Sequence, residues 1–337
     1  MVMPILKGRR ILFIAPRFFG YDLEIANGLR KRGAHVDWLA DRPYDTAAMA
    51  ALTRFVPQMI LPFADRLYDR QLSALGPASY DHILVLNGQT VSREFLKSLR
   101  AQFPSAVFTL YMWDSLENRG RTIENFPLFD RLLSFDPQSA DRYGMQLRPL
   151  FFTRVAPPVA LQDARYDASF VGTAHSDRYA VITRLKQALS PELRAFWYLY
   201  LQSNWLFSVY KTIKPGMRSA KRTDFRFVPI DKDRLQQVVE QSLAVVDIEH
   251  PRQRGLTMRT FETMGLQRKL ITTNRYVEQY EFFDRDNIMV IDRQSPVVPT
   301  SFFTTPYRPL SPEMYRRYSL EGWIDDVLGT DESCGRH

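Results

Sequence analysis

Short apolar runs alternate with stretches of helical spacing along most of the chain. The run Ile11 to Ala15 in "RRILFIAP" predicts a buried first strand. In "YDLEIANGLRKRG", Leu23, Ile25, Ala26 and Leu29 fall near helical spacing, and Gly33 supplies a stop. "AHVDWLA" and "YDHILVLNG" return as strands; Ile83 to Leu86 is too uniformly apolar for a half-exposed edge. "AVFTLYMWD" and "FDRLLSFDP" continue the series. Strands alternating with helices imply a parallel sheet covered on both faces.

The pattern breaks over "PLFFTRVAPPVALQDARY" (149–166), where Pro157 and Pro158 stop regular structure, and then restarts. "YDASFVGTAHSDRYAVITRLKQAL" reads as strand, glycine-containing loop and helix. "FWYLYLQ" and "DFRFVPI" read as strands, "DRLQQVVEQS" as a helix, and "LAVVDIE", "KLITT" and "NIMVIDR" as strands. A helix starting near Leu256 separates the strand ending in Val246 from the one at Lys269 to Thr273. "SPEMYRRYSLEGWIDDVLG" opens on an N-cap-like Ser311 and predicts a terminal helix. The expected organisation is therefore an α/β domain over 1–155, a second over 156–310, and a terminal helix over 311–330. Two such domains are expected to bind ligands at the carboxyl ends of their strands, in a cleft between them.

Composition narrows the class. The 337 residues exceed a single core, and 45% hydrophobic with 24% charged residues is ordinary globular usage. One cysteine, Cys334, leaves no internal disulfide and fits a cytoplasmic protein. Lys7, Arg9 and Arg10 precede an apolar run too short for a signal peptide, and it breaks at Pro16-Arg17. No apolar run approaches the roughly 20 residues of a membrane span. A formal charge of +8 suggests an anionic partner, but zinc-finger spacing and RNP-like patterns are lacking, which speaks against nucleic acid.

Chemistry-bearing residues fall in the loops after the strands. In "GTAHSDRY", Gly172 permits close backbone approach, Thr173 and Ser176 offer hydroxyls, and His175 and Arg178 offer donors. A helix N-terminus beside an arginine suits a diphosphate, although Ser176 or Asp177 could simply cap the helix. Thr257 and Arg259 stand at the start of the next such helix, with Glu262 one turn along. There a carboxylate could accept both hydroxyls of a ribose; the plainer reading is an internal Arg–Glu pair.

"GLTMRTFETMGLQRKLITTN" resembles the donor-binding segment of GT-B glycosyltransferases, and "FVGTAHSDRY" resembles the opening of that family's C-terminal domain. "FFGYDLEIANGLRKRGAHVDWLADRP" is similar to its N-terminal strand, loop and helix; "LYMWDS" and "LLSFDP" recur in members that build bacterial surface polysaccharides, such as capsule and lipopolysaccharide. The resemblance spans about residues 10–330. It implies two Rossmann-like domains facing each other across a cleft, with the C-terminal helix packing back. It also implies a nucleotide-sugar donor, a glycan or lipid-linked acceptor, no cofactor and no metal. Glu262 matches the ribose carboxylate; Thr257 and Arg259 fall where phosphate or sugar is contacted, and Gly172 to Arg178 beside the diphosphate. Arg254 stands where retaining members often carry a second glutamate, which favours inversion. An inverting enzyme needs a base, for which Asp114 at the end of "LYMWD" leads and Asp22 and Glu24 are rivals. Asp114 and Asp22 could equally be helix caps. A non-catalytic nucleotide- or glycan-binding module on the same fold is the alternative.

The D-x-D pattern of Asp284 and Asp286 lies in a turn entering a strand, away from the expected ligand edge, and is not read as a metal site. His35 begins a strand away from the expected cleft and is read as structural, and His82 and His250 have no metal-ligand spacing around them. The stretch 205–227 joins Trp205, Leu206, Phe207 and Tyr210 to Lys211, Lys214, Arg218, Lys221, Arg222 and Arg226, with Asp224 its only acid. It suggests peripheral contact with an anionic membrane surface, or else a solvated basic loop beside buried aromatics.

Overall fold

The computed structural model describes residues 6–41, 57–76, 79–116 and 120–329. Cys334 lies outside the described residues. The chain divides into two compact units, residues 1–150 with 320–337 and residues 151–319.

The first unit contains β1 (Arg10–Ala15), α1 (Tyr21–Lys31), β2 (His35–Ala40), α2 (Pro57–Ala74), β3 (His82–Leu86), α3 (Arg93–Gln102), β4 (Val107–Met112), α4 (Gly120–Glu124), β5 (Arg131–Ser134), α5 (Pro137–Tyr143) and β6 (Gln146–Leu147). Its six strands are all parallel, in the order β2-β1-β3-β4-β5-β6. Ile11 to Ala15 and Ile83 to Leu86 are buried, as continuous apolar runs in a doubly covered sheet require. Helix α1 begins after Gly20 at φ 84° and stops before Gly33 at φ 93°, conformations that favour glycine. Its Ile25, Ala26 and Leu29 are buried, whereas Leu23, expected on the same face, is exposed.

The second unit contains β7 (Tyr166–Thr173), α6 (Arg178–Ala188), β8 (Ala195–Tyr200), α7 (Asn204–Ile213), α8 (Lys232–Glu240), β9 (Ser242–Asp247), α9 (Met258–Gly265), β10 (Lys269–Thr272), β11 (Ile288–Val290), α10 (Ser301–Thr304) and α11 (Pro312–Arg317). Its five parallel strands run in the order β11-β10-β9-β7-β8. The expected strand over "DFRFVPI" does not form. A short 3-10 turn covers Arg222–Asp224, and only Arg226 bridges to Tyr200 beyond the edge strand.

The terminal segment is two helices rather than one. Ser311 caps α11 as expected, its hydroxyl accepting from the Met314 amide, but that helix ends at Arg317. Helix α12 (Leu320–Leu328) then belongs to the first unit. Trp323 is fully buried with its ring edge-on to Tyr111 at 4.9 Å, and Gly28 of α1 leaves room for Leu320 and Ile324. Asp325 pairs with Arg32, Asp326 pairs with Arg148 at 2.6 Å, and Arg131 donates to the carbonyls of Asp326 and Val327. No helix among the described residues is long and apolar enough to cross a membrane.

In the second unit, Gly265 ends α9 against the chain at 152–154. A methyl group there would run into the Arg154 carbonyl and approach the Phe152 ring to 2.6 Å. Alanine raises helix propensity by up to about 1 kcal/mol, but overpacking against backbone costs about 1–3 kcal/mol. Gly265→Ala is therefore expected to lower stability, measured as a fall in the midpoint of urea unfolding; a midpoint at or above the parent's would refute the close packing.

Candidate functional site

In the second unit β7 and β9 are neighbours, but the chain leaves β7 towards β8 on one flank and β9 towards β10 on the other. The two connections diverge, and this switch point is where open parallel sheets bind ligands. The loops concerned are 174–177 and 248–257; His175, Ser176 and Thr257 lie in them, Gly172 and Thr173 at the end of β7, and Arg178, Arg259 and Glu262 in the helices that follow.

Arg178 joins the two loops. Its Nε donates to the Ile248 carbonyl at 2.6 Å and its Nη1 to the Thr173 carbonyl at 3.2 Å. Burial disfavours its charge, Asp247 and Glu249 offset this, and Arg259 and Arg293 add to the positive field. Gly172 makes room for this arrangement, because a Cβ there would lie 2.9 Å from the Phe170 ring and 3.4 Å from Arg178 Nη1. Neither Ser176 nor Asp177 caps α6 with its side chain. Ser176 adopts φ 50°, uncommon for a residue with a side chain, and its hydroxyl meets His175 Nδ1 at 2.6 Å. Both Asp177 oxygens accept from Arg293 at 2.9 Å.

His175 stacks near His250, ring centroids 6.3 Å apart. Burial, reinforced by the charges of Arg178, His250 and Lys214, pushes its pKa down to about 4. It is a neutral ring at pH 7, able to donate or accept but not to supply charge.

The loop after β9 is held by acids. Asp247, the last residue of a fully buried strand, accepts from Thr257 at 2.5 Å and Thr260 at 3.2 Å. Thr257 is the N-cap of α9, accepting from the Thr260 amide, so its proton and one lone pair are committed to setting the helix. Arg259 follows in the first turn and Glu262 one turn beyond, both half-buried. Glu249 accepts from Thr273 and from Arg293, each at 2.5 Å; burial raises its pKa, and both partners work against that. Arg293 thereby ties the loops after β7, β9 and β11 together. Asp247, Glu249 and Arg293 were not singled out from the sequence. The available signal was a charged residue at or just past the end of an apolar strand.

In the first unit the corresponding switch point lies between β1 and β3. The loop after β1 exposes Phe18 and Phe19, the latter at φ 50°, and Phe18 lies 5.6 Å from Trp113. Asp22 is 4% exposed, and its carboxylate accepts from the Phe18 amide at 3.3 Å. Glu24 is half-buried in the first turn of α1. Asp114, just past β4, is exposed, and Asn87 Nδ2 donates to it at 3.0 Å. Asn87 is itself buried at φ 61° and accepts from the Trp113 amide through its other side-chain atom, so it orients Asp114. Asp41 ties the neighbouring loop by accepting from the amides of Gln89 and Thr90 at 3.0 Å.

The remaining candidates lie elsewhere. Asp286 pairs with Arg308 at 2.6 Å, and Asp284 accepts from the Asp286 amide, in the turn entering β11. Arg254 is exposed over the Tyr276 ring. His35 and His82 start β2 and β3, at the edge opposite the strand ends.

No family model matches the chain, and no curated protein matches it. Solved structures are similar over nearly its whole length. Anabaena HepE in complex with UDP-glucose aligns at TM-score 0.58 and 11% identity, covering 95% of this chain and 98% of that one. A glycosyltransferase from Rickettsia africae gives 0.51 and 10%, covering 96% and 94%. UDP-GlcNAc 2-epimerase from Neisseria meningitidis, bound to UDP-GlcNAc, gives 0.51 and 8%, covering 95% and 99%. The fold is GT-B. Its second Rossmann-like unit holds the cluster of Arg178, Arg259 and Arg293, and its first holds Asp114.

The neutral state of His175 has a consequence for stability. Its value in the folded protein, about 4, lies below the ordinary 6.5, so the unfolded chain binds the proton more readily. The corresponding stability is present above pH 6.5 and is lost as pH falls towards 4. His175→Gln should therefore lose less stability than the parent between pH 7 and pH 4, read by urea unfolding at a series of pH values. Parallel pH profiles for the two proteins would exclude this role.

Proposed function

We propose that the protein is a glycosyltransferase that moves a sugar from a nucleotide-sugar donor to a glycan or lipid-linked glycan in bacterial surface-polysaccharide assembly. It works in the cytoplasm, at the inner face of the cell membrane. The observation that carries the reading is the group at the β7/β9 switch point, where Arg178, Arg259 and Arg293 accompany two helix starts with Glu262 one turn further on. Helix N-termini and guanidinium groups suit a diphosphate. A carboxylate one turn away suits the paired hydroxyls of a ribose. The similar structures support the same reading, since HepE is seen with UDP-glucose and the epimerase with UDP-GlcNAc. A UDP-sugar is thus the first donor to test.

In this reading the second unit binds the donor and the first binds the acceptor. Asp114 takes the proton of the acceptor hydroxyl as that oxygen attacks the anomeric carbon. The bond from the anomeric carbon to the diphosphate oxygen breaks, and its electron pair leaves with the nucleoside diphosphate. Arg178, Arg259 and the amides opening α6 and α9 meet the charge that develops there, so the reaction needs no metal ion. Direct displacement inverts the anomeric centre, and Arg254 in place of a second glutamate supports that course. Thr257 and Asp247 hold α9 in position, and Gly172, Thr173, His175 and Ser176 line the diphosphate side. Nucleotide binding without acceptor-dependent release of nucleotide would instead mark a non-catalytic binding module.

Two experiments test the assignments. Glu262→Ala should weaken affinity for UDP, or another cognate nucleotide, by about 1.5–3 kcal/mol, the worth of charge-assisted hydrogen bonds. Isothermal calorimetry on the folded variant measures it, and unchanged affinity removes Glu262 from the ribose.

Asp114→Asn, assayed in EDTA, should reduce turnover by about 10²–10⁴-fold with nucleotide affinity unchanged. Asn caps a helix as well as Asp, so normal turnover would leave Asp114 a structural role. A selective loss in Asp22→Asn or Glu24→Gln would move the base to the first loop. Loss of parent activity in EDTA, restored by magnesium or manganese, would overturn the metal-free course.

A further inference from the structure

Helix α7 presents two different faces. Leu206, Phe207 and Tyr210 pack onto the core of the second unit, with the Phe207 ring 5.5 Å from Phe225. These are the aromatics the sequence placed beside a basic loop, and they are occupied. On another face Trp205, Val209 and Ile213 recur at i, i+4 and i+8, exposed by 68%, 37% and 64%. The hydroxyls nearby do not make this face polar: Ser208 and Thr212 donate back to the carbonyls of Asn204 and Ser208.

Cations lie along the same helix and in the segment that follows it. Lys211, Arg218, Lys221 and Arg222 are exposed, and Lys214 lies over the Tyr210 ring at 3.7 Å. Arg222 also donates to Asn204 at the start of α7, which joins the basic segment to the helix. Asp224, the sole acid of residues 205–227, already accepts from the Tyr179 hydroxyl and the Lys221 amide, both at 2.8 Å.

An exposed row of large apolar side chains in a segment carrying several exposed cations fits an anionic lipid surface, where the apolar residues enter the acyl boundary and the cations meet phosphate. A second copy of the chain fits poorly, because a two-fold contact would bring the same cations face to face. A nucleic acid would use the charges but not the apolar row. We propose that α7 seats the protein on an anionic phospholipid leaflet, with Trp205, Val209 and Ile213 inserted and the exposed Lys211, Arg218, Lys221 and Arg222 at headgroup level. The proposal rests on the reading that the acceptor is met at the inner face of the membrane, and names the element that docks there.

The test is co-sedimentation with phosphatidylglycerol–phosphatidylcholine vesicles and with phosphatidylcholine alone. The parent is compared with two triple variants, Trp205→Ser/Val209→Ser/Ile213→Ser and Lys211→Gln/Arg218→Gln/Arg222→Gln. All substituted residues are exposed, and UDP affinity on the same preparations reports both folding and the donor assignment. The parent should bind the anionic vesicles only, less so at high salt, and each triple variant should bind at least about tenfold more weakly. Loss in the basic variant alone would mark a polyanion surface and overturn the proposal, as would loss in the apolar variant alone. Parent-like binding by both variants would place membrane contact elsewhere. A parent that binds UDP but no vesicles would overturn both this docking and the membrane location, leaving the transferase reading intact.

Discussion

Parallel strands cannot be joined by tight turns; each needs a crossover, so every strand of a unit ends at the same edge and delivers its next loop there. Both units obey this constraint, with six and five strands. The positions of Arg178, Asp247, Thr257 and Arg293 follow from it, although they lie as much as 115 residues apart in sequence, the distance from Arg178 to Arg293. The reversal of strand order at β7/β9 then parts two of the loops and leaves room at the edge. The β1/β3 reversal does the same beside Asp114 and Asn87.

Loops collected at one edge still have to be held, and here charged groups do it. Arg293 binds Asp177 and Glu249, and Arg178 is anchored on two carbonyls. Asp247 fixes the start of α9 through two threonines. Breaking a buried pair by removing one partner costs about 3–5 kcal/mol, because the other charge is left without compensation. The ties of Arg293 to Asp177 and Glu249, and of Arg178 to Ile248, join residues of different loops. They hold guanidinium groups near two helix starts, an arrangement that favours negative charge there. The same economy explains why Thr257 caps a helix instead of reaching outwards, while Arg259 and Glu262 occupy the turns it sets.

Chain connectivity adds a constraint of its own. Helix α12 is the last described element but packs on the first unit, through Trp323 on Tyr111 and the ion pairs of Arg32 and Arg148. The first unit is therefore completed only after the second has been traversed. Helix α1 admits that late arrival closely, since Gly28 has no side chain to exclude Leu320 and Ile324.

Much of this was determined by the sequence alone. Uniform apolar runs such as Ile83 to Leu86 specify strands buried on both faces, and glycines and proline pairs mark where elements stop, because these signals depend on local backbone preference and solvent exclusion. The spacing of Arg259 and Glu262 likewise places them one turn apart on any helix. Only the tertiary structure decided which polar groups are partnered. Asp177 looks like a cap in sequence but turns to Arg293; Asp22 and Asp114 are both carboxylates near strand ends, yet one is buried on a backbone amide and the other exposed beside Asn87. The strand expected at "DFRFVPI" gave way to a turn, and one terminal helix became two, assigned to different units. The physical reason is the same throughout: a hydrogen-bond or ion-pair partner distant in sequence is chosen by proximity in the fold, which local pattern does not encode.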